Sequence, residues 1–201
     1  MNDLDKALAD IVEIKSRLAQ SSEFLGLGPA ALAASGALAF LVAMAQSVLP
    51  GATEPFAYFA AWVATAIAAC GLIGAEMLRR GRHHHAGLAD QMIREAVLHF
   101  VPAGVAGAAL LAFFAQFTPA DLWLVPGLWL ILVSLGIFAA ARSLPPGMVY
   151  AGAWYLLSGF TVLLLAATSH ALSPWAMGLP FALGQSGIAY LVHRATEAHD
   201  G

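Results

Sequence analysis

The stretch RRGRHHHAGLADQMIREAVLH, residues 79–99, gathers four arginines, four histidines, Asp90, Gln91 and Glu95 into a chain that is otherwise overwhelmingly apolar. Imidazole and carboxylate together suit Zn²⁺ or another divalent ion, and two imidazoles at similar depth suit b-type haem. The candidate ligands are His83, His84, His85, Glu95 and His99, with Glu76 just before the stretch and His193 far after it. The same groups titrate close to neutral pH, so the cluster can equally be read as a proton sensor. Haem is the less favoured of these. His99 lies five residues past Arg94 while His193 adjoins Arg194, a depth difference of roughly 6 Å at 1.5 Å per residue. A plainer reading stands beside all three: arginines and histidines with a few acids are ordinary in a cytoplasmic loop of a membrane protein, and the three consecutive histidines are flanked by Gly81 and Gly87.

From Leu88 onward the polar residues recur with a helical period. Asp90 and Arg94 are four apart, as are Glu95 and His99, which allows two side-by-side pairs on one face. The pattern predicts a helix in the membrane interface that turns or kinks near Pro102 into the next apolar segment, its polar stripe turned away from lipid. Glu76 sits deeper, where an ionised carboxylate needs a cation. Arg79, Arg80, Arg94 and protonated His99 are the ones topology supplies.

A second group invites a different chemistry. Trp129, Trp154, Tyr155, Gln185 and Ser186, with Trp123 nearer the boundary, place sparse polar groups among aromatic rings, as small-molecule cavities do. Within it, GQSG at 184–187 is similar to the serine motif of rhomboid intramembrane proteases, which also have six helices. Spacing argues against that chemistry. The later histidines are His193, two turns along the same helix, and His199 near the chain end, and neither gives Ser186 a base on a separate span. No catalytic dyad across two helices can be assembled, and the reading is of a non-enzymatic protein.

The elements that must hold these residues follow from composition. Charged residues are 10% and hydrophobic residues 60% of the 201, with a mean hydropathy of +0.77, far outside the range of water-soluble domains. Six apolar stretches, 29–49, 55–78, 96–117, 121–141, 147–169 and 174–193, are each long enough to cross ~30 Å of hydrocarbon as a helix. None alternates as a barrel strand does. The fold expected is all-α: a cytosolic amphipathic helix over 1–24, a domain of six transmembrane helices in three hairpins over 25–195, and a short cytosolic tail over 196–201.

All nine basic residues fall on one side of these spans, and the connections on the other side, LPGATEP, TPAD and SHALSP, hold none. The positive-inside rule then puts both termini in the cytoplasm and suggests a bacterial inner membrane. No cleavable signal peptide is expected, because charges interrupt the first 24 residues. Leu4, Ala7, Ile11, Ile14 and Leu18 give residues 3–20 one apolar face, suited to its own loops, to a second copy or to a partner protein. A net charge of −3 does not favour nucleic acid. Cys70 has no intramolecular partner.

The hairpins also resemble one another. PAALAASGAL, PAGVAGAALL and PGMVYAGAWY begin at Pro29, Pro102 and Pro146, while returning segments run from Gly74, Gly136 and Gly187 to an arginine, as parallel repeats would. Small residues throughout, among them Gly36, Gly71, Gly74, Gly104, Gly107, Gly152, Gly159, Gly184 and Gly187, predict close helix packing. Tyr58, Trp123 and Trp175 are placed at the uncharged boundary, and Pro126 and Pro180 at kinks.

Three segments, HAGLAD (85–90), VPGLW (125–129) and LSPWAMGLPFALGQ (172–185), carry a resemblance to uncharacterised bacterial six-helix inner-membrane proteins that extends over nearly the whole chain. It implies the membrane class and brings no activity, ligand or catalytic residue. Size and helix count are also similar to the substrate-binding components of vitamin transporters, without any binding motif of theirs. The expected functions are thus a membrane protein with a metal-binding or proton-sensing cluster facing the cytoplasm, a small-solute transporter or its substrate-binding subunit, or a b-type haem protein.

Overall fold

The computed structural model describes residues 28–84, 89–141, 144 and 147–200, with only the backbone for helical residues 80–84, 89–97, 99, 196 and 198–200. Residues 3–20 and His85 lie outside it. Six long helices and no strands are present among the described residues. They are α1 Pro29–Val48, α2 Pro55–His84, α3 Ala89–Phe117, α4 Val125–Ala140, α5 Met148–Ser169 and α6 Trp175–Asp200, and a 3₁₀ helix, Pro119–Leu124, joins α3 to α4.

Five of these segments are long and apolar enough to cross a membrane, the fourth being the 3₁₀ helix together with α4. The chain is a helical membrane protein. The sixth expected span, in α6, falls short of the same hydropathy because Pro180, Gln185, Ser186 and three glycines dilute it. It nonetheless packs against α1 and, more lightly, α5, with Gly178 against Ala43 and Gly184 against Tyr155.

The helices form a ring in sequence order, closed by α6 returning to α1, with the contact between α2 and α3 the slightest around it. The most extensive seams are α1 with α6 and α4 with α5. Neither is one of the three expected hairpins. Glycine explains the choice, because in lipid helices associate by backbone approach and dispersion. A Cβ on Gly36 would come within 3.1 Å of the Ala182 carbonyl, and one on Gly178 would collide with Ala43. In the other seam a Cβ added to either Gly127 or Gly159 would come within 2.9 Å of the other's carbonyl, and the Ser134 hydroxyl donates to the Gly152 carbonyl at 2.8 Å. By contrast Gly71, Gly74, Gly104 and Gly187 face open space, so the expectation of close packing at every glycine is corrected for these four.

The prolines behave according to position. Pro126 lies in the first turn of α4, just after the 3₁₀ helix, where no backbone N–H is needed; it starts a helix instead of bending one. Pro102 and Pro180 are inside α3 and α6. The helix expected before Pro102 and the span after it form one continuous element. Gly147 caps α5 with φ of 92°, a conformation open to glycine. At the other end of α5, His170 takes φ of 50°.

The core gathers Leu32, Ala39 and Ala43 of α1, Tyr58, Phe59 and Trp62 of α2, Val125 and Leu130 of α4, Tyr155 of α5 and Val192 of α6. Tyr58 is fully buried and donates its hydroxyl to the Ser173 carbonyl at 3.0 Å. It is a buried tie from α2 to the α5–α6 connection, at the end of the bundle where it was expected but turned into the core.

Candidate functional site

At the arginine-bearing end, Glu76 accepts two hydrogen bonds from Arg79, Nε to Oε2 at 2.9 Å and Nη2 to Oε1 at 3.1 Å. Of the four cations the sequence offered, Arg79 is the one whose side chain is among the described residues, and it pairs with Glu76. Glu76 is only 15% exposed whereas Arg79 is 70% exposed, so the carboxylate sits in the wall and its partner reaches outward. The Glu76 stem lies against Gly28, the residue preceding α1, and a Cβ there would collide with it. This places negative charge beside the start of a helix, where the aligned peptide dipoles favour it.

His193 is exposed and lies 3.5 Å from Glu197 one turn along α6. Among the described residues, no group of three His, Cys, Asp or Glu is arranged to hold a metal ion. Of the expected ligands, His83 and His84 fall in the last turn of α2 and Glu95 and His99 in α3 before Pro102. Their side chains, and all of His85, lie outside the described residues. A metal at Glu76 has to compete with the bidentate Arg79 guanidinium.

The second expected set disperses. Trp129 donates from Nε1 to the Gly107 carbonyl at 2.9 Å and meets Phe59 edge-on at 5.7 Å, bracing α4 against α3 and α2. Tyr155 is fully buried, with its ring over Gly184, and stacks obliquely on Phe181. Its hydroxyl lies beside Gln185, yet neither that hydroxyl nor Gln185 Oε1 completes a hydrogen bond. Ser186 is exposed and donates to the Ala182 carbonyl of its own helix at 2.7 Å, the habit of a helical serine. Of the six, Trp123 and Trp154 line a cavity among the described residues.

That cavity is a half-open groove of about 470 Å³ between α5 and α6 at the uncharged end. Trp154 donates to the Pro180 carbonyl at 3.0 Å, and this bond bridges the two helices where the groove ends inside the bundle. From Trp154 to Ser169 the lining follows α5 for roughly 22 Å at 1.5 Å per residue. Trp123 and Trp175 flank the other end, and Ser158, Thr161, Ser169 and Ser173 place hydroxyls along an otherwise aliphatic wall. Among the described residues no ionisable side chain lines it.

Two further details lie at this groove. Trp123 meets His170 edge-on with centroids 4.7 Å apart, and its indole N–H is buried without a hydrogen-bond partner. Pro180 has no N–H to give the Ala176 carbonyl, and Ala176 is also in the lining. A second depression of about 420 Å³, between α3 and α4 around Pro102 and Gly136, is walled by apolar residues with no side chain to orient a ligand.

The sequence reading found Trp123 and Trp154 but missed the rest of the groove. The available clue was on α5: Ser158, Thr161, Leu165 and Ser169 follow Trp154 at three- and four-residue steps, a weakly polar stripe on a helix otherwise Leu- and Ala-rich. In comparison with known proteins, the chain matches no family model, no curated protein and no solved structure.

Proposed function

We propose that the protein is a non-enzymatic membrane protein that binds a small apolar molecule in the α5–α6 groove. The carrying observation is the groove itself: about 470 Å³ walled by three tryptophans and four hydroxyl-bearing residues without a charge, within the size of known small-molecule sites. The bridge from Trp154 to Pro180 at its inner end favours holding a ligand over conducting one, and so favours a binding component over a complete transporter. The one-sided basic residues support cytoplasmic termini and a groove opening toward the opposite face, and the resemblance of the three quoted segments supports a bacterial inner membrane.

The test is native mass spectrometry of the detergent-purified protein with oleyl alcohol as probe. Saturable binding of one molecule per chain is expected. It should be lost when Thr161→Trp fills the groove and kept in Ala108→Trp, which alters an exposed face of α3. Adducts that do not saturate, or equal binding to both variants, would sink the reading.

A further inference from the structure

Resting on that groove, we infer that its occupant is a single-chain lipid whose hydrocarbon chain lies extended against α5, and that Trp154 sets the length of chain that fits.

The width of the groove admits one chain. Every turn of α5 from Trp154 to Ser169 contributes to the lining, so the groove runs for roughly 22 Å. About 470 Å³ spread over that length is a mean section of roughly 20 Å². Carbon atoms in contact stand about 4 Å apart, so this section holds one chain abreast and not two. The reach separates that chain from the tails of an ordinary bilayer lipid. Each leaflet takes up about half of a hydrocarbon core of about 30 Å, whereas a chain filling the groove from the uncharged boundary passes the midplane. Two tails on one head end at a similar depth, so a diacyl lipid leaves the inner end unfilled. Nor does this end of the protein offer a counter-charge to a phosphate: among the described residues no ionisable side chain lines the groove, and the connections at this end hold no lysine or arginine.

The inner end is blind, and Trp154 makes it so. Its ring is part of the lining and 38% exposed, so it can be reached from the groove. Its Nε1 donates to the Pro180 carbonyl at 3.0 Å, which ties the ring to the opposite wall. One turn further along α6, Gly184 lies under the Tyr155 ring, where an added Cβ would collide with the hydroxyl; the two helices are closed together just beyond the indole. At the uncharged end the lining passes into exposed Ala171 and Ser173 of the α5–α6 connection, where a polar head reaches the boundary. A methylene gains little by leaving one apolar surrounding for another, so fit of length decides affinity. A short chain leaves the wall near Trp154 without dispersion contacts, and a long one has to buckle or push its head out past the boundary.

The experiment is competition among dodecanol, octadecanol and docosanol for the full chain, read by native mass spectrometry, with Trp154→Ala and Ser158→Phe beside wild type. Octadecanol spans the groove when extended, dodecanol stops short of Trp154 and docosanol overruns it. Wild type should favour octadecanol on the order of tenfold over either. Trp154→Ala removes the stop and should bring docosanol level with octadecanol or ahead of it. Ser158→Phe sets a ring one turn nearer the boundary and should move the preference to dodecanol. Opposite shifts are what a stop produces, whereas a general loss of packing lowers all three alcohols together and would overturn the role of Trp154. Equal binding of the three by wild type, or an octadecanol preference kept in either variant, would overturn it too while leaving the groove reading intact. Should Trp154→Ala fail to fold, the shift in Ser158→Phe decides alone. If Thr161→Trp binds octadecanol as wild type does, the groove reading fails first. A diacyl phosphatidylcholine displacing octadecanol equally well would show that a bilayer lipid, not a single-chain molecule, is the occupant, and would also overturn the proposal.

Discussion

Helix α5 has two sides, and they are built from the same residue types to opposite effect. Toward α4, Gly152 and Gly159 lie against Phe138, Ile131 and the Gly127 carbonyl so closely that an added Cβ would come within 3 Å of a neighbour. Toward α6, Ser158 and Thr161 are just as small in scale, yet the helices part there and leave about 470 Å³. Small residues therefore do not themselves bring helices together. They do so where the partner offers backbone or another small residue at the same level, as Gly127 does for Gly159. Where the partner helix is headed by Trp175 and interrupted by Pro180, the same economy of side chain leaves room. The contrast repeats around the ring, since Gly71 and Gly104 on α2 and α3 meet nothing.

Four substitutions would break or sharpen this contrast. The largest effect is expected from Gly159→Val, which forces side-chain atoms into Ile131 and the Gly127 carbonyl. A loss of about 3 kcal/mol is expected in unfolding by SDS titration; a wild-type curve would show that the α4–α5 seam yields. Next, Tyr58→Phe removes the hydroxyl that reaches Ser173, a residue of the groove wall, and should cost about 1–2 kcal/mol by the same titration. Gly104→Ala goes the other way. With open space around the position, it should stabilise α3 by about 0.5–1 kcal/mol through helix propensity alone, and destabilisation would reveal a neighbour pressed against that face. The smallest effect belongs to Glu76→Gln. Arg79 is largely exposed, so solvent and salt screen the pair, and unfolding curves of the variant and wild type should lie close together and converge as salt rises.

Much of the architecture could be read without coordinates because lipid makes strong demands on sequence. Helix number, the charged and uncharged ends, and the interior prolines of α3 and α6 follow from apolar runs and the placement of arginines. Which helices touch most closely did not follow. Gly36 and Gly74 look alike in a sequence of alanines and glycines, but one lies against Ala182 and the other against nothing, and only the arrangement of distant segments distinguishes them. The partner of Glu76 was legible as a class and not as a residue, since four cations shared the same end. The level of Tyr58 was legible but its burial was not, because a tyrosine near a helix end suits both a boundary belt and a buried tie; the Ser173 carbonyl, 115 residues away in sequence, decides between them. The groove was the least legible, because attention goes to charge and the groove has none.

The closing of the ring by α1 and α6 has a consequence for biosynthesis. On the ribosome α1 emerges more than a hundred residues ahead of its main partner, an interval of roughly ten seconds at ordinary elongation rates. During that time the surface of Gly36, Ala39 and Ala43 that later receives α6 is presented to lipid or to the insertion machinery. Nascent chains stalled before α6 would carry an unclaimed glycine face, a mark by which a quality-control protease could tell an unfinished chain from a finished one.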